Sequence, residues 1–445
     1  MFMRIQLSDH FTYKRLIRFV LPSIFMIICI SVYGIIDGYF VSNFVGKNPF
    51  AAVNLIMPLL MGMGTIGFMV GTGGSAIVSK TMGEGKKELA NKYFSMLVWF
   101  ALFLGIVLSV LIFLFIRPIA SVFGAEGELL ENCVLYARIL LCSMPAFILQ
   151  FVFQSFFITA EKPSLSLKIQ IVAGVTNAVL DYLFIAVFSW GLAGAAVATA
   201  VGQVIGGIIP VIYFTKKNNS LLHLTRTSFD SSILLKTLVN GSSEMVTNLS
   251  TSIVSILYNL QLMKFAGEDG VAAYGVIMYV DIIFAAVFLG YAIGSAPVVG
   301  YHYGAGNHSE LKNLFQKSLF LMSGAGIVMT ILAELMAVPL VMIFASYDAD
   351  LFALTVHGFR IYVLSFLVMG VNVWGSAFFT ALGNGAVSAT ISFFRTLVFK
   401  ILVIYSLPIL FGIDGIWFGV GTAELLALGV TVLFLVSKRK YYHYA

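Results

Sequence analysis

The sequence predicts an all-α integral membrane protein, with twelve transmembrane helices forming two six-helix bundles related by a pseudo-two-fold axis along the membrane normal. Three observations carry this. The 445 residues are 60% hydrophobic and 10% charged, where soluble domains carry about 25% charged residues; mean hydropathy is +0.99. Apolar stretches recur that are long enough to span ~30 Å of hydrocarbon, which takes roughly 20 helical residues. Finally, the chain resembles itself at a fixed offset of 221 residues, the mark of an internal repeat.

Each span is bounded by charge or glycine. Span 1 (17–43) follows Lys14, Arg15 and Arg18; no small-residue cleavage site follows, so it reads as a retained helix rather than a signal peptide. Span 2 (50–79) stops at Lys80, and spans 3 (93–116) and 4 (132–158) flank Glu126, Glu128 and Glu131. Spans 5 (165–188) and 6 (191–214) meet at a glycine turn. After a polar linker come spans 7 (237–264) and 8 (271–301), then 9 (313–344) and 10 (355–381) around Asp348 and Asp350. Spans 11 (387–410) and 12 (413–437) complete the chain. Lys and Arg gather in the N-terminal segment (with Arg4), after span 2, after span 6 (Lys216, Lys217, Arg226, Lys236) and at Lys438, Arg439 and Lys440. This bias predicts that both termini are cytoplasmic. The net charge of +6 follows the membrane and is no nucleic-acid signal. Cys29, Cys133 and Cys142 lack metal-type spacing and read as free thiols packed as small hydrophobes.

The repeat aligns "FVGKNPFAAVNLIM" (44–57) with "FAGEDGVAAYGVIM" (265–278), Gly73, Gly83 and Gly85 with Gly294, Gly304 and Gly306, and "GLAG" (191–194) with "GIDG" (412–415). Two copies of even span number share one orientation, as in transporters built from parallel repeats. The expected division is an N-terminal lobe, 1–214, a cytoplasmic linker, 215–236, and a C-terminal lobe, 237–445.

Polar groups present in only one copy are freer to be functional. Asp37, Asn177, Asp181 and Thr199 align with Tyr258, Val398, Leu402 and Val420. Asn177 and Asp181 are four residues apart and share a helix face. Pro22 near the start of span 1 offers a hinge. A lone carboxylate in hydrocarbon costs about 2.5–3.5 kcal/mol on insertion scales; a proton, a bound cation or an internal polar pocket relieves that. The four residues are therefore expected to form one H⁺- or Na⁺-binding cluster, the competing reading being a polar network that only fixes helix packing. In the second half, Glu244, Asp281 and Glu424 are further intramembrane acids, for a cationic substrate, an ion or a solvated cavity wall. Gln150 and Gln154 are candidate cavity amides, and Met57 and Met61 adaptable apolar wall or ordinary packing. Arg138 and Arg360 recur in both copies and read as structural or interfacial, as does Glu334; Arg395 and Lys400 are left without a role. No nucleophile elbow, zinc motif or nucleotide-binding loop is present, so no enzyme activity, ATPase subunit or cofactor is expected.

With "FVGKNPFAAVNLIMPL", "GTGGSAIVSKTMGEGKKELA" (71–90), "APVVGYHYGAGNHSELK" (296–312) and "FFTALGNG" (378–385), the whole chain resembles the MATE (multidrug and toxic compound extrusion) family, and within it the bacterial branch containing DinF and MepA. The resemblance implies a V-shaped pair of bundles in the bacterial inner (cell) membrane. It implies a monomeric secondary antiporter that exports cationic or amphipathic drugs in exchange for H⁺ or Na⁺. The family's N-lobe cation site falls on Asp37, Asn177, Asp181 and Thr199. Its second acidic site is matched by Glu244 alone, because span 10 has no acid. The alternative within the same superfamily is a lipid-linked precursor flippase, which calls for a more cationic cavity; a channel, a receptor and a membrane enzyme fit the duplicated, acid-bearing pattern less well.

Overall fold

The structure, a computed structural model, describes residues 5–346 and 348–445; Arg4 of the N-terminal basic cluster lies outside them. Among the described residues the chain is helical, with no strand. The first half comprises α1 (Tyr13–Phe40), α2 (Lys47–Gly83), α3 (Lys87–Val122), α4 (Gly127–Thr159), α5 (Pro163–Asp181) and α6 (Gly191–Thr215). In the second, spans 7 and 8 are two helices within α7 (Ser231–Gly304), which turns at Gly267, where the backbone is not helical. Then come α8 (His308–Ala345), α9 (Ala349–Tyr362) running into α10 (Phe366–Ala381), α11 (Gly385–Phe393) running into α12 (Phe399–Phe411), α13 (Ile413–Ser437) and the short α14 (Arg439–Tyr442). With α7 crossing twice, this makes the twelve spans.

Local chemistry sets the helix ends. Thr12 accepts from Arg15 N to start α1, Asp230 from Ser232 N and Ile233 N to start α7, and Asn384 from Val387 N to start α11; each satisfies backbone donors that the first turn leaves free. The repeat is written in backbone angles. Gly46 and Gly267 have φ of 114° and 61°, and Gly191 and Gly412 have φ of 56° and 59°. These are 221-residue partners at conformations that favour glycine.

Two apolar cores result. One runs from Val41 to Leu234 and the other from Val254 to Tyr444. The second also takes in Leu7, Phe11, Leu16, Phe19 and Val20, so the start of the chain packs across the midline. It is tied to both halves: Leu7 N donates to Glu161 Oε1 (2.7 Å), and Phe11 N donates to Glu310 Oε1 (2.8 Å). The halves meet along α2 and α7 through glycines that leave no room for a side chain. Gly83 abuts Tyr301, and its repeat partner Gly304 abuts Lys80, itself the partner of Tyr301. In the same way Gly73 abuts Gly241, while Gly294 abuts Val20. These reciprocal contacts are what a two-fold axis along the membrane normal demands. All of them lie toward the ends that carry the Lys80–Lys87 and Ala305–His308 turns. At the opposite ends, Gly46 and Gly267 have nothing packed against them.

The cysteines are free, with Cys133 buried, Cys29 half-buried and Cys142 exposed. Cys142 thus departs from the buried packing expected of it, because it lies on a face of α4 turned away from the core. Arg138 lies over the Phe113 ring, and Arg360 reaches Glu334 at 3.8 Å; all three charged groups are on the outer surface.

Candidate functional site

The polar chamber of the first half is built where helices change pitch. Asp37 sits four residues before the π turn Val41–Val45 that follows α1, and Asp181 is the last residue of α5 before the π turn Tyr182–Val187. Such widened turns re-aim side chains and recur at functional positions. The small-residue run of α6 lets α5 approach closely: Gly202 lies against Ala173 and Asn177. Thr199, one turn earlier on α6, links the helices. Its Oγ1 donates to Asp37 Oδ1 (3.3 Å) and accepts from Asn177 Nδ2 (3.4 Å).

Asp37 is 7% exposed and Asp181 is 0% exposed. Neither oxygen of Asp181 has a hydrogen-bond partner among the described residues, nor does Asn177 Oδ1. The charge that bears on Asp181 is that of Asp37, and among the described residues no Lys or Arg faces either acid. All four residues expected to form an ion site therefore share one chamber. Tyr136 joins them: it is fully buried, faces both carboxylates and lies beside Thr199. The sequence did carry a signal for it, since Tyr136 has Gly358 as its counterpart at the local offset of 222. Pro22 stands inside α1, fifteen residues before Asp37.

A second space, of about 60 Å³, lies at the seam between the halves, lined from both sides by residues such as Thr72, Ser155, Glu244, Ser376, Ser392 and Arg395. Glu244 is the one residue predicted for substrate contact that lines it. Gln150 and Gln154 lie inside the first half instead, 3% and 1% exposed; Gln150 Nε2 donates to Gln170 Oε1 (2.7 Å). Met57 packs at the edge of the first core, and Met61 is exposed. Asp281 is away from the seam, near Tyr362 and Lys400, with Oδ1 buried and unpartnered.

Arg395, to which the sequence assigned no definite role, and the intramembrane acid Glu424 form a buried ion pair. Arg395 lies in the π turn Phe394–Val398, and its Nε donates to Glu424 Oε1 (2.9 Å) and Oε2 (3.0 Å). Asn372 Nδ2 adds a 2.8 Å bond to Oε2, and Asn372 Oδ1 accepts from Thr431 (3.0 Å).

Two pseudo-symmetric six-helix bundles, a buried acid chamber inside one and a solvent-sized space between them are the parts of a membrane transport protein. The MatE family model matches residues 22–183 and 245–406, one match in each half, and the chain belongs to that family of transporters, which are not enzymes. It is 24% identical over 438 residues to the multidrug export protein MepA of Staphylococcus saprophyticus, covering 96% of this chain and 94% of that one. It is likewise 24% identical over 429 residues to MepA of Staphylococcus haemolyticus, with the same coverage. Among solved structures, a MATE in complex with MaL6 superimposes with a TM-score of 0.94 at 23% identity, covering 100% of both chains. An outward-facing multidrug resistance MATE family transporter of the MOP superfamily gives 0.93 at 23% identity, covering 100% of this chain and 99% of that one.

Proposed function

We propose that this chain is a multidrug exporter of the cell membrane, working as a secondary antiporter that exchanges cationic or amphipathic small molecules for H⁺ or Na⁺ by alternating access. The observation that carries this is the pair Asp37 and Asp181, two carboxylates buried side by side with no Lys or Arg beside them among the described residues. Two such acids hold negative charge only at a heavy desolvation cost. A proton between them, or Na⁺ held by the Asp37 and Asp181 carboxylates with Asn177 Oδ1 and Thr199 Oγ1, relieves it. Loading and unloading the chamber then changes the stability of α1 and α5 against α6. For coupling, ion and drug must each favour a different arrangement of the lobes.

The moving bodies are 1–214 and 237–445, joined by the linker 215–236, within one monomer embedded in lipid. The termini and the Lys-bearing turns face the cytoplasm; the closed glycine seam then shuts the cytoplasmic side, which makes this an outward-facing arrangement. Drug binds at the seam between the lobes, with Glu244 as its cation contact. Pro22 lets the outer part of α1 bend when the chamber fills. A lipid-linked precursor flippase fits less well, because the seam space pairs one carboxylate with one guanidinium and is not a basic cradle.

The test is dye efflux from proteoliposomes under separately imposed pH and Na⁺ gradients. Wild type should respond to one of them, and Asp37→Asn should lose that response by about a hundredfold, a loss of order 3 kcal/mol. Gradient-driven efflux that survives Asp37→Asn intact would overturn the assignment.

A further inference from the structure

One arginine recurs in both halves but is answered in only one of them. Arg138 on α4 and its counterpart Arg360 on α9 are both exposed on the outer surface. In the second half Glu334 lies 3.8 Å from Arg360. The counterpart of Glu334 in the first half, 221 residues earlier, is Phe113. There the Arg138 guanidinium lies over the ring, 5.2 Å from its centroid. Its side chain makes no ion pair or hydrogen bond among the described residues. Glu131, two turns nearer the start of α4, is taken by Arg117, which donates to both its oxygens (2.7 and 2.8 Å). Arg138 is thus a cation on the lipid-facing surface with no counter-charge from the chain, a costly state in a membrane.

An apolar groove runs inward from it. About 310 Å³ of space opens between α3 and α4, lined by residues such as Ile106, Val110, Phe113, Leu114, Cys142 and Pro145. The two helices are antiparallel. Phe113 and Leu114 therefore mark the end at Arg138, and Ile106 and Pro145 the far end, where Gly105 packs on Pro145. Ile106, Val110 and Leu114 are exposed. A cation at the head of an apolar channel leading into the membrane has the plan of a phospholipid in reverse. The long stem of an arginine lets its charge rise to the headgroup level. A guanidinium stacked on an aromatic ring keeps its N–H edge free, and that edge holds a phosphate with two parallel bonds. We propose that this groove binds an anionic phospholipid of the leaflet on the side of the α3–α4 turn, with its phosphate on Arg138 and one acyl chain lying between α3 and α4. The lipid brings to the first half the negative charge that Glu334 supplies in the second. Nothing in this depends on what the protein exports.

The test uses two photoactivatable lipids with the same diazirine-bearing acyl chain, a phosphatidylglycerol and a phosphatidylcholine. Each is present at the same low mole fraction in phosphatidylcholine nanodiscs holding the full-length protein, and cross-linked peptides are mapped by mass spectrometry. In wild type the phosphatidylglycerol should label segments 106–114 and 141–145 roughly tenfold more than the phosphatidylcholine, the scale of a charge-assisted hydrogen bond. Arg138→Gln should bring the two lipids to parity there. So should Phe113→Glu, which gives the first half the counter-charge of the second and leaves the arginine in place. Arg360→Gln should leave the labelling of both segments unchanged. Equal labelling by the two lipids in wild type overturns the proposal without needing any variant. So does a preference that survives Arg138→Gln, or one that Arg360→Gln removes as well.

Discussion

The two halves share a backbone plan but handle buried acid in opposite ways. In the first, Asp37 and Asp181 face each other with no Lys or Arg nearby among the described residues. In the second, Glu424 is saturated by Arg395 and Asn372, and Lys400 lies near both Glu424 and Asp281. An acid with a built-in counter-charge has no need of a visiting one. An acid without one is comfortable only when something mobile arrives. The two bundles thus differ in that one balances its buried acid with a charge of its own and the other does not.

The sharpest way to break this comparison is to remove one charge from each half and compare stability. Glu424→Gln strands Arg395 in the interior and should destabilise the detergent-solubilised protein by about 3–5 kcal/mol, seen as a marked fall in Tm. Asp181→Asn removes an uncompensated charge and should leave Tm unchanged or raise it. Equal losses at the two sites would erase the distinction. A smaller effect is expected from Thr199→Val, which deletes the one hydroxyl joining Asp37 to Asn177. Losing a hydrogen bond to a charged group is worth about 1.5–3 kcal/mol, so the apparent affinity for the coupling ion should fall by roughly tenfold or more with Tm nearly constant. The smallest should come from Arg117→Ala. Its 2.7 Å pair with Glu131 is exposed on both sides, and such pairs contribute about 0–1 kcal/mol; a Tm change beyond a few degrees there would mean that counter-charge placement matters outside the bundles too.

Much of the fold was legible because a bilayer forces long apolar helices, and because turning glycines such as Gly46 and Gly267 can be matched by eye at 221 residues. The N-lobe cluster was legible because polar atoms in an apolar span are conspicuous. What was not legible has physical causes. Gln150 and Gln154 share a helix face, but nearly all of α4 from Tyr136 onward is buried, so spacing alone does not tell the seam side from the interior side. The Arg395–Glu424 pair joins helices 29 residues apart, and no periodicity relates them. The π turns beside Asp37, Asp181 and Arg395 leave no compositional trace.

The glycine seam has a kinetic consequence. Where Gly73, Gly83, Gly241, Gly290 and Gly304 bring main chain onto main chain, the contact at those points is made by peptide groups. Parting them there requires few rotamers to be unlocked. What limits the step is water reaching the newly bared peptide groups, so opening should be quickened or slowed by hydration at that rim more than by the bulk of any residue within it.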